Sequence, residues 1–260
     1  MPRFAANLSM LFTERPFPAR FEAAAAAGFR GVECHFPYDY PAPVLAGALA
    51  DSGLSQVLFN LPAGDWAAGE RGIACHPDRR DEFRAGVDTA IHYARALACP
   101  RVNCLAGRLP GGVSAECARE CLVDNLRYAA PRLADAGVQL LVEPINTRDV
   151  PGFFLCRSDQ ALGVMDDAGV ANLALQYDVY HMQVMEGDLV RHIESAFSRI
   201  GHVQVADNPG RHEPGTGEIH YPFVFERLDA LGYDGWVSAE YVPRSGTAAG
   251  LGWLMPYLRG

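Results

Sequence analysis

The chain has 260 residues, is 49% hydrophobic and 20% charged, and carries a formal net charge of −9, the composition of an ordinary water-soluble globular protein. With no Lys/Arg cluster to reverse it locally, that charge argues against a nucleic-acid partner, because phosphate binding needs a concentrated positive field. No apolar run approaches membrane-spanning length, and MPRFAANLSM at the start is too short and too polar for a signal peptide, so a soluble cytoplasmic protein is expected.

Short apolar runs alternate with longer amphipathic segments along the whole chain. The runs are FAANLSML (4–11), GVECHF (31–36), LSQVLFNL (54–61), RVNCLAG (101–107), VQLLVEPI (138–145), NLALQYDV (172–179), IGHVQVAD (200–207) and GWVSAEY (235–241), eight in all. Helical patterns between them include 17–28, 79–98, 114–137, 188–197 and 222–232, and helix stops fall at Gly28, Gly53, Gly137, Gly169 and Gly232. Strands that are mostly apolar without clean alternation suit a parallel sheet covered by helices. Eight β/α units in this length predict a single (β/α)8 barrel over residues 1–260. The competing doubly wound open sheet opens with a Gly-rich turn after its first strand, and here that turn reads LSMLFTERPF.

The seven cysteines form no C-x-x-C pair; Cys117 and Cys121, at helical spacing, are expected to be two packed thiols. A reducing compartment and no disulfide framework follow.

A barrel of this kind places reactive groups at the C-terminal ends of its strands. There the fifth strand ends in Glu143, the sixth in Gln176 and Asp178, the seventh in Gln204 followed by Asp207 and Asn208, and the eighth in Glu240. A period of two links Leu141 to Glu143, Gln176 to Asp178 and Ser238 to Glu240, so each acid lies on the face of the residue before it. Asp207 and Asn208 are read as a solvated strand end or a cap. Three buried carboxylates repel one another unless a cation holds them. Glu143, Asp178, Glu240 and the amide oxygen of Gln204 make an all-oxygen set that favours Mg2+ or Mn2+ over Zn2+.

LLVEPIN (140–146), ALQYDVYHMQ (174–183), HVQVADNPGRHEPGTGEI (202–219) and WVSAEYVP (236–243), with GFRGVECHFPYDYP (28–41) and ERGIACHP (70–77), resemble the hydroxypyruvate isomerase family. That family lies within the xylose-isomerase-like barrel superfamily, beside the ketose 3-epimerases and endonuclease IV. The resemblance spans nearly the whole chain. Where the epimerases usually place a His ligand, this chain has Gln204, as in the hydroxypyruvate isomerase branch.

The resemblance implies a metal-assisted exchange of hydroxypyruvate with tartronate semialdehyde, or of a longer 2-oxo acid such as a 2-oxo-tetronate. It also implies that Glu143 and Glu240 are acid and base as well as metal ligands, with a hydride shift as the rival route. Two other readings stand beside it: a ketose 3-epimerase, and a non-catalytic barrel that binds a sugar acid. A metal-dependent phosphodiesterase would need several His ligands and a basic surface. A substrate carboxylate needs a cation, and an Arg supplies the planar fork that suits one. Arg211 is the first candidate, Arg71 the second, and His181 is expected to bond a substrate hydroxyl or developing oxyanion. Glu70 and His76 are read as a polar surface loop, His35, His92, His192 and His220 as structural, and His202 as packed below the metal. Phe12, Phe36, Trp66 and Trp253 are read as packing, and GRLPGG (107–112) and HEPGTGEI (212–219) as rim loops. Related barrels associate, so a homo-oligomer is expected by resemblance alone.

Overall fold

Strands and helices alternate along residues 2–257, the part of the chain that the computed structural model describes. In order they are β1 (Arg3–Asn7), α1 (Ala19–Ala26), β2 (Gly31–Glu33), α2 (Ala42–Ser52), β3 (Ser55–Asn60), α3 (Arg80–Ala96), β4 (Arg101–Cys104), α4 (Ala115–Asp135), β5 (Gln139–Val142), α5 (Ser158–Ala168), β6 (Leu173–Asp178), α6 (Val179–Met185), α7 (Leu189–Ala196), β7 (Ile200–Val205), α8 (Tyr221–Ala230), β8 (Trp236–Ala239) and α9 (Thr247–Gly250). Each strand pairs in parallel with the next, and β8 closes onto β1 through Arg3–Trp236 to Ala6–Ala239. The closed ring is the expected (β/α)8 barrel, and it rules out the open sheet, which would leave two strand edges unpaired.

The strands are shorter than the apolar runs that contain them. The run 138–145 contributes only Gln139–Val142, because Glu143-Pro144 leaves the ladder and Pro has no N–H to donate. Helices α2, α5 and α6 lie in stretches without a clear helical pattern: α2 is almost apolar throughout, and α6 is only 7 residues long. Gly53 and Gly169 close α2 and α5 in the left-handed region, at φ 64° and 63°, a cap geometry that costs glycine nothing.

A large apolar core fills the shell between the barrel and its helices. Inside the barrel a small plug of Ala5, Val57, Leu58, Leu141 and Ala174 sits against Trp236. Gly31 makes room for that indole, since a Cβ there would lie 2.8 Å from the Trp236 ring. Above the plug the same inward rows become polar: Leu141 gives way to Glu143, Ala174 to Gln176 and Asp178, and Trp236 to Ser238 and Glu240. The register sets Asn7 beside Glu33, Asn60 beside Asn103 and Asp178 beside Gln204.

All seven cysteines are free. Cys121 is buried but Cys117 is exposed, which corrects the reading of two packed thiols: Cys117 lies in the first turn of α4, an exposed stretch. Among the described residues no helix is long and apolar enough to cross a membrane.

Candidate active site

The polar layer opens into a cavity of about 100 Å3 at the C-terminal end of the barrel, roughly three waters' worth of liquid volume. Glu143, Glu240, Gln204, His181, Arg211 and Arg71 all line it, and Asp178 lies against His181 just behind. The structure thus brings the residues expected to bind metal or substrate or to move protons to one end of the barrel.

Glu240, immediately after β8, is heavily hydrogen bonded. Its Oε2 accepts from Asn7 Nδ2 at 2.8 Å and Gln204 Nε2 at 2.5 Å, and its Oε1 accepts from Arg211 Nη2 at 2.7 Å. His35 Nε2 stands 3.5 Å from that Oε1. Glu143, after β5, has a poorer setting: Asn103 Nδ2 donates to its Oε2 at 2.8 Å. Burial, then the charges of Glu240 and Asp178, push the Glu143 carboxyl well above the usual carboxylate range. The two acids therefore sit in different surroundings: Glu240 receives three side-chain hydrogen bonds and Glu143 one.

Asp178 ends β6 and caps α6, its Oδ1 accepting the Tyr180 and His181 N–H groups at 2.7 and 3.1 Å. Its Oδ2 is buried without a hydrogen-bond partner. The His181 tautomer follows from its neighbours. Asn146 Oδ1 accepts from the Asp149 N–H at 2.8 Å, so the Asn146 amide must present Nδ2 to His181 Nδ1, 2.7 Å away. The ring proton then lies on Nε2, 3.6 Å from Asp178 Oδ2 and on the cavity side. Burial lowers the His181 pKa, so the ring is a neutral donor.

Arg211 sits at φ 53°, a strained backbone for a residue with a side chain. Asp207 holds it there, accepting the Asn208, Gly215, Gly217 and Ile219 N–H groups at 2.8–3.1 Å and so fixing the segment that carries Arg211. Asp207 is 1% exposed; this corrects its reading as a solvated strand end. Burial opposes the Arg211 charge, but Glu240, Asp178 and other acids outweigh it and raise the guanidinium above its usual value.

Four residues of the first strands were missed: Asn7, Glu33, Asn60 and Asn103 line or support the same cavity. Glu33 is 1% exposed. Its Oε2 meets His202 Nε2 at 2.7 Å, and its Oε1 accepts from Asn7 and Gln204 at 2.9 and 2.8 Å. Burial works to raise Glu33, but the His202 charge and hydrogen bonds from His202, Ser238 and Gln204 hold it below its usual range. His202 thus lies in the barrel interior as expected, while His35, read as structural, faces the cavity. Among the four aromatics considered, Trp66 lines the cavity; Phe36 packs on Trp66 at 4.9 Å, and Phe12 and Trp253 belong to the core. Glu70 binds Arg79 at 2.5 Å and His76 approaches the Arg108 carbonyl at 3.0 Å, so both brace the rim, as read.

The residues fit a hard divalent cation. Glu143 and Asp178 bring carboxylate oxygens within 4.8 Å of one another, Asp178 Oδ2 has no hydrogen-bond partner, and the neighbouring Glu143 resists ionisation without a counter-charge. An oxygen-rich set of this kind suits Mg2+ or Mn2+. Gln204 now turns Nε2 to Glu33 and Glu240 and its oxygen to Gln176 Nε2 at 2.6 Å. Gln176 Oε1 is unpartnered, so inverting both amides keeps their mutual bond and turns the Gln204 oxygen toward the acids.

A (β/α)8 barrel with ionisable groups converging at the C-terminal ends of its strands is the architecture of a barrel enzyme. Residues 21–257 match the xylose isomerase-like TIM barrel family, and the chain belongs to it. It is 56% identical to hydroxypyruvate isomerase of Escherichia coli (strain K12) over 257 residues, 99% of this chain and 100% of that one. It is 50% identical to 2-oxo-tetronate isomerase of Cupriavidus necator, over 99% of both chains. A solved structure from Brucella melitensis, described as an AP endonuclease of family 2, superposes with TM-score 0.97 at 50% identity over 99% of both chains. With full-length isomerase relatives at these identities, the chain is an isomerase.

Proposed function

We propose that this chain interconverts hydroxypyruvate and tartronate semialdehyde by proton transfer through an enediolate. The observation that carries this is the pair Glu143 and Glu240, facing one small cavity in two different electrostatic settings. The isomers differ by one carbon-bound proton and the placement of one carbonyl. In the forward direction a proton leaves C3 of hydroxypyruvate and a proton is added at C2, while the O3 hydroxyl loses its proton and O2 gains one.

Glu240 suits the base. It faces the cavity, and Asn7, Gln204 and Arg211 hold its carboxylate in one orientation. Glu143, with its raised proton affinity, suits the acid that protonates C2, and the roles exchange in reverse. His181 Nε2–H would donate to a substrate oxygen as negative charge develops there. A divalent cation held by Glu143, Asp178, Gln204 and Glu240 would polarise the two substrate oxygens and acidify the intervening C–H.

The relatives at 56% and 50% identity are named for isomerising a three-carbon acid and a 2-oxo-tetronate; both reactions need the same groups, and hydroxypyruvate is the substrate named for the relative with the higher identity. A DNA-cleaving function, suggested by the name of the Brucella protein, would put a polyanion against a chain of net charge −9.

Proton NMR of hydroxypyruvate in D2O tests the proposal, with protein plus Mg2+ or Mn2+ and an EDTA-treated control. Tartronate semialdehyde signals with deuterium at C2 support proton transfer. Product without solvent deuterium points to the hydride shift. Absence of turnover and of exchange with either metal would sink the hydroxypyruvate assignment, and the 2-oxo-tetronate would then be tried.

A further inference from the structure

Two arginines line the cavity, and they are not equivalent. Arg211 is committed to Glu240 at 2.7 Å. Arg71 pairs with no carboxylate among the described residues. Its Nη1 donates to the Trp66 and Glu70 carbonyl oxygens at 3.1 and 2.6 Å, and its guanidinium lies 4.0 Å from the centre of the Trp66 ring. Glu70, the adjacent acid, is turned onto Arg79 and the Asp65 N–H.

The backbone next to Arg71 is closely packed. Gly72 has φ +114°, and a Cβ there would lie 2.4 Å from the Leu105 carbonyl oxygen, so the backbone beyond Arg71 is pressed against the segment after β4. Arg108, whose charge acts on Arg71, is tied to the Gly69 carbonyl at 2.7 Å. Burial and then the Arg108 charge hold the Arg71 pKa below the ordinary value, which marks a positive charge without compensation.

The cavity is therefore polar along its length. Glu33, Glu143 and Glu240 make one side acidic, and Arg71 stands over it as a cation whose remaining N–H groups have no protein acceptor among the described residues. A neutral sugar leaves that charge unanswered, whereas an α-keto or α-hydroxy acid answers it. We infer that Arg71, stacked on Trp66, is the carboxylate subsite that selects sugar acids over neutral sugars, holding the acid head at the β3 rim while the carbinol and carbonyl carbons lie between Glu143 and Glu240. This rests on the proposed isomerase reading, because it takes those two glutamates to flank the reacting carbons.

The test compares hydroxypyruvate with dihydroxyacetone, its neutral analogue with CH2OH in place of the carboxylate, on metal-loaded wild type, Arg71→Met and Arg71→Lys. Met keeps an aliphatic stem on Trp66 and loses the charge. A charge-assisted hydrogen bond to the acid should be worth about tenfold to a hundredfold in binding. Arg71→Met should raise KM for hydroxypyruvate by that factor with kcat nearly unchanged. KM for dihydroxyacetone should not move, and Arg71→Lys should recover part of the loss. An unchanged acid-to-neutral ratio of kcat/KM overturns the inference.

A binding arm separates this failure from failure of the reaction itself. Glycerate and glycerol, neither of which can isomerise in this way, are titrated by calorimetry. Glycerate binding that weakens about tenfold in Arg71→Met supports the subsite even if wild type turns over neither substrate. Equal glycerate affinity in both proteins, or none in wild type, overturns it.

Discussion

Glu33 Oε1 and Glu240 Oε2 accept hydrogen bonds from the same two amides: Asn7 Nδ2 lies 2.9 and 2.8 Å from them, and Gln204 Nε2 lies 2.8 and 2.5 Å. The two carboxylates are thus held apart by two neutral donors, with His202 backing Glu33 and Arg211 backing Glu240.

Removal of the Glu33 carboxylate should therefore unsettle more than one side chain. Glu33→Ala leaves His202 without its partner and one N–H of each amide, Asn7 and Gln204, without its acceptor in a buried place. Breaking one side of a buried charged pair costs about 3–5 kcal/mol, and a chain of this size loses roughly 2–4 °C of Tm per kcal/mol. Thermal melts at neutral pH should show a drop of that order, and Glu33→Gln, which keeps an acceptor oxygen, a smaller one. Because Glu33 is held below its usual pKa, its stabilisation is present above the unfolded carboxylate value and fades as pH falls through the folded one. The gap between wild type and Glu33→Ala should narrow in acid. A constant gap would mean that packing, not charge, sets the loss.

Glu143 has the opposite sign. Its folded pKa is raised above the unfolded value near ~4.3, so its contribution favours folding in acid and is lost as pH rises through the folded value. In EDTA the wild type should lose stability over that interval, and Glu143→Gln should flatten the profile and melt higher at neutral pH, with isomerase activity gone. Stability traded against activity in this way marks a functional carboxylate. A Glu143→Gln melt no higher than wild type in EDTA would show that Glu143 carries no electrostatic penalty.

How far the sequence exposed this arrangement varied from residue to residue. Glu143 stood out because a carboxylate followed by Pro144 closes an apolar run, and Glu240 and Asp178 because inward rows of period two lead to them. The same rule holds for Asn7, Glu33 and Asn60, which end β1 to β3, and for Asn103, the last residue but one of β4. Those strands show it less plainly, since amides carry no charge to draw attention and β2 has only 3 residues in which to show a period. Partners such as Glu33 with His202, or Asp207 with the loop amides after it, join positions 169 residues and 1–12 residues apart. The distant pair depends on closure of the barrel and has no local signature. Asp207 was misread because a polar strand end looks the same in sequence whether water or a folded loop satisfies it.

Asp178→Asn tests the cation site directly. Asn can still cap α6 through its side-chain oxygen, so helical content should not change. Oδ2, the buried oxygen without a partner, becomes an amide nitrogen that repels a cation. Altering even an outer-shell partner of a metal costs 10–100-fold in affinity, so loss of this oxygen should weaken Mn2+ binding by about a hundredfold or more. Titration followed by electron paramagnetic resonance reads this without any turnover. Unchanged Mn2+ affinity would remove Asp178 from the ligand set.

Arg211 separates base positioning from substrate binding. Its guanidinium bonds Glu240 Oε1 at 2.7 Å and its Nε is buried without a partner, so it has one fixed contact and one open donor. Arg211→Met leaves the Asp207-braced loop intact, because that bracing uses backbone N–H groups. If Arg211 holds Glu240 and faces charge that develops during proton transfer, kcat should fall about a hundredfold, the scale seen when one preorganised donor is removed, with little change in KM. If it serves instead to bind the acid, KM should rise with kcat preserved, and the carboxylate subsite would then belong to Arg211 rather than Arg71. Steady-state kinetics of Arg211→Met and Arg71→Met, measured side by side on hydroxypyruvate, should give opposite patterns: a kcat effect for the first, a KM effect for the second.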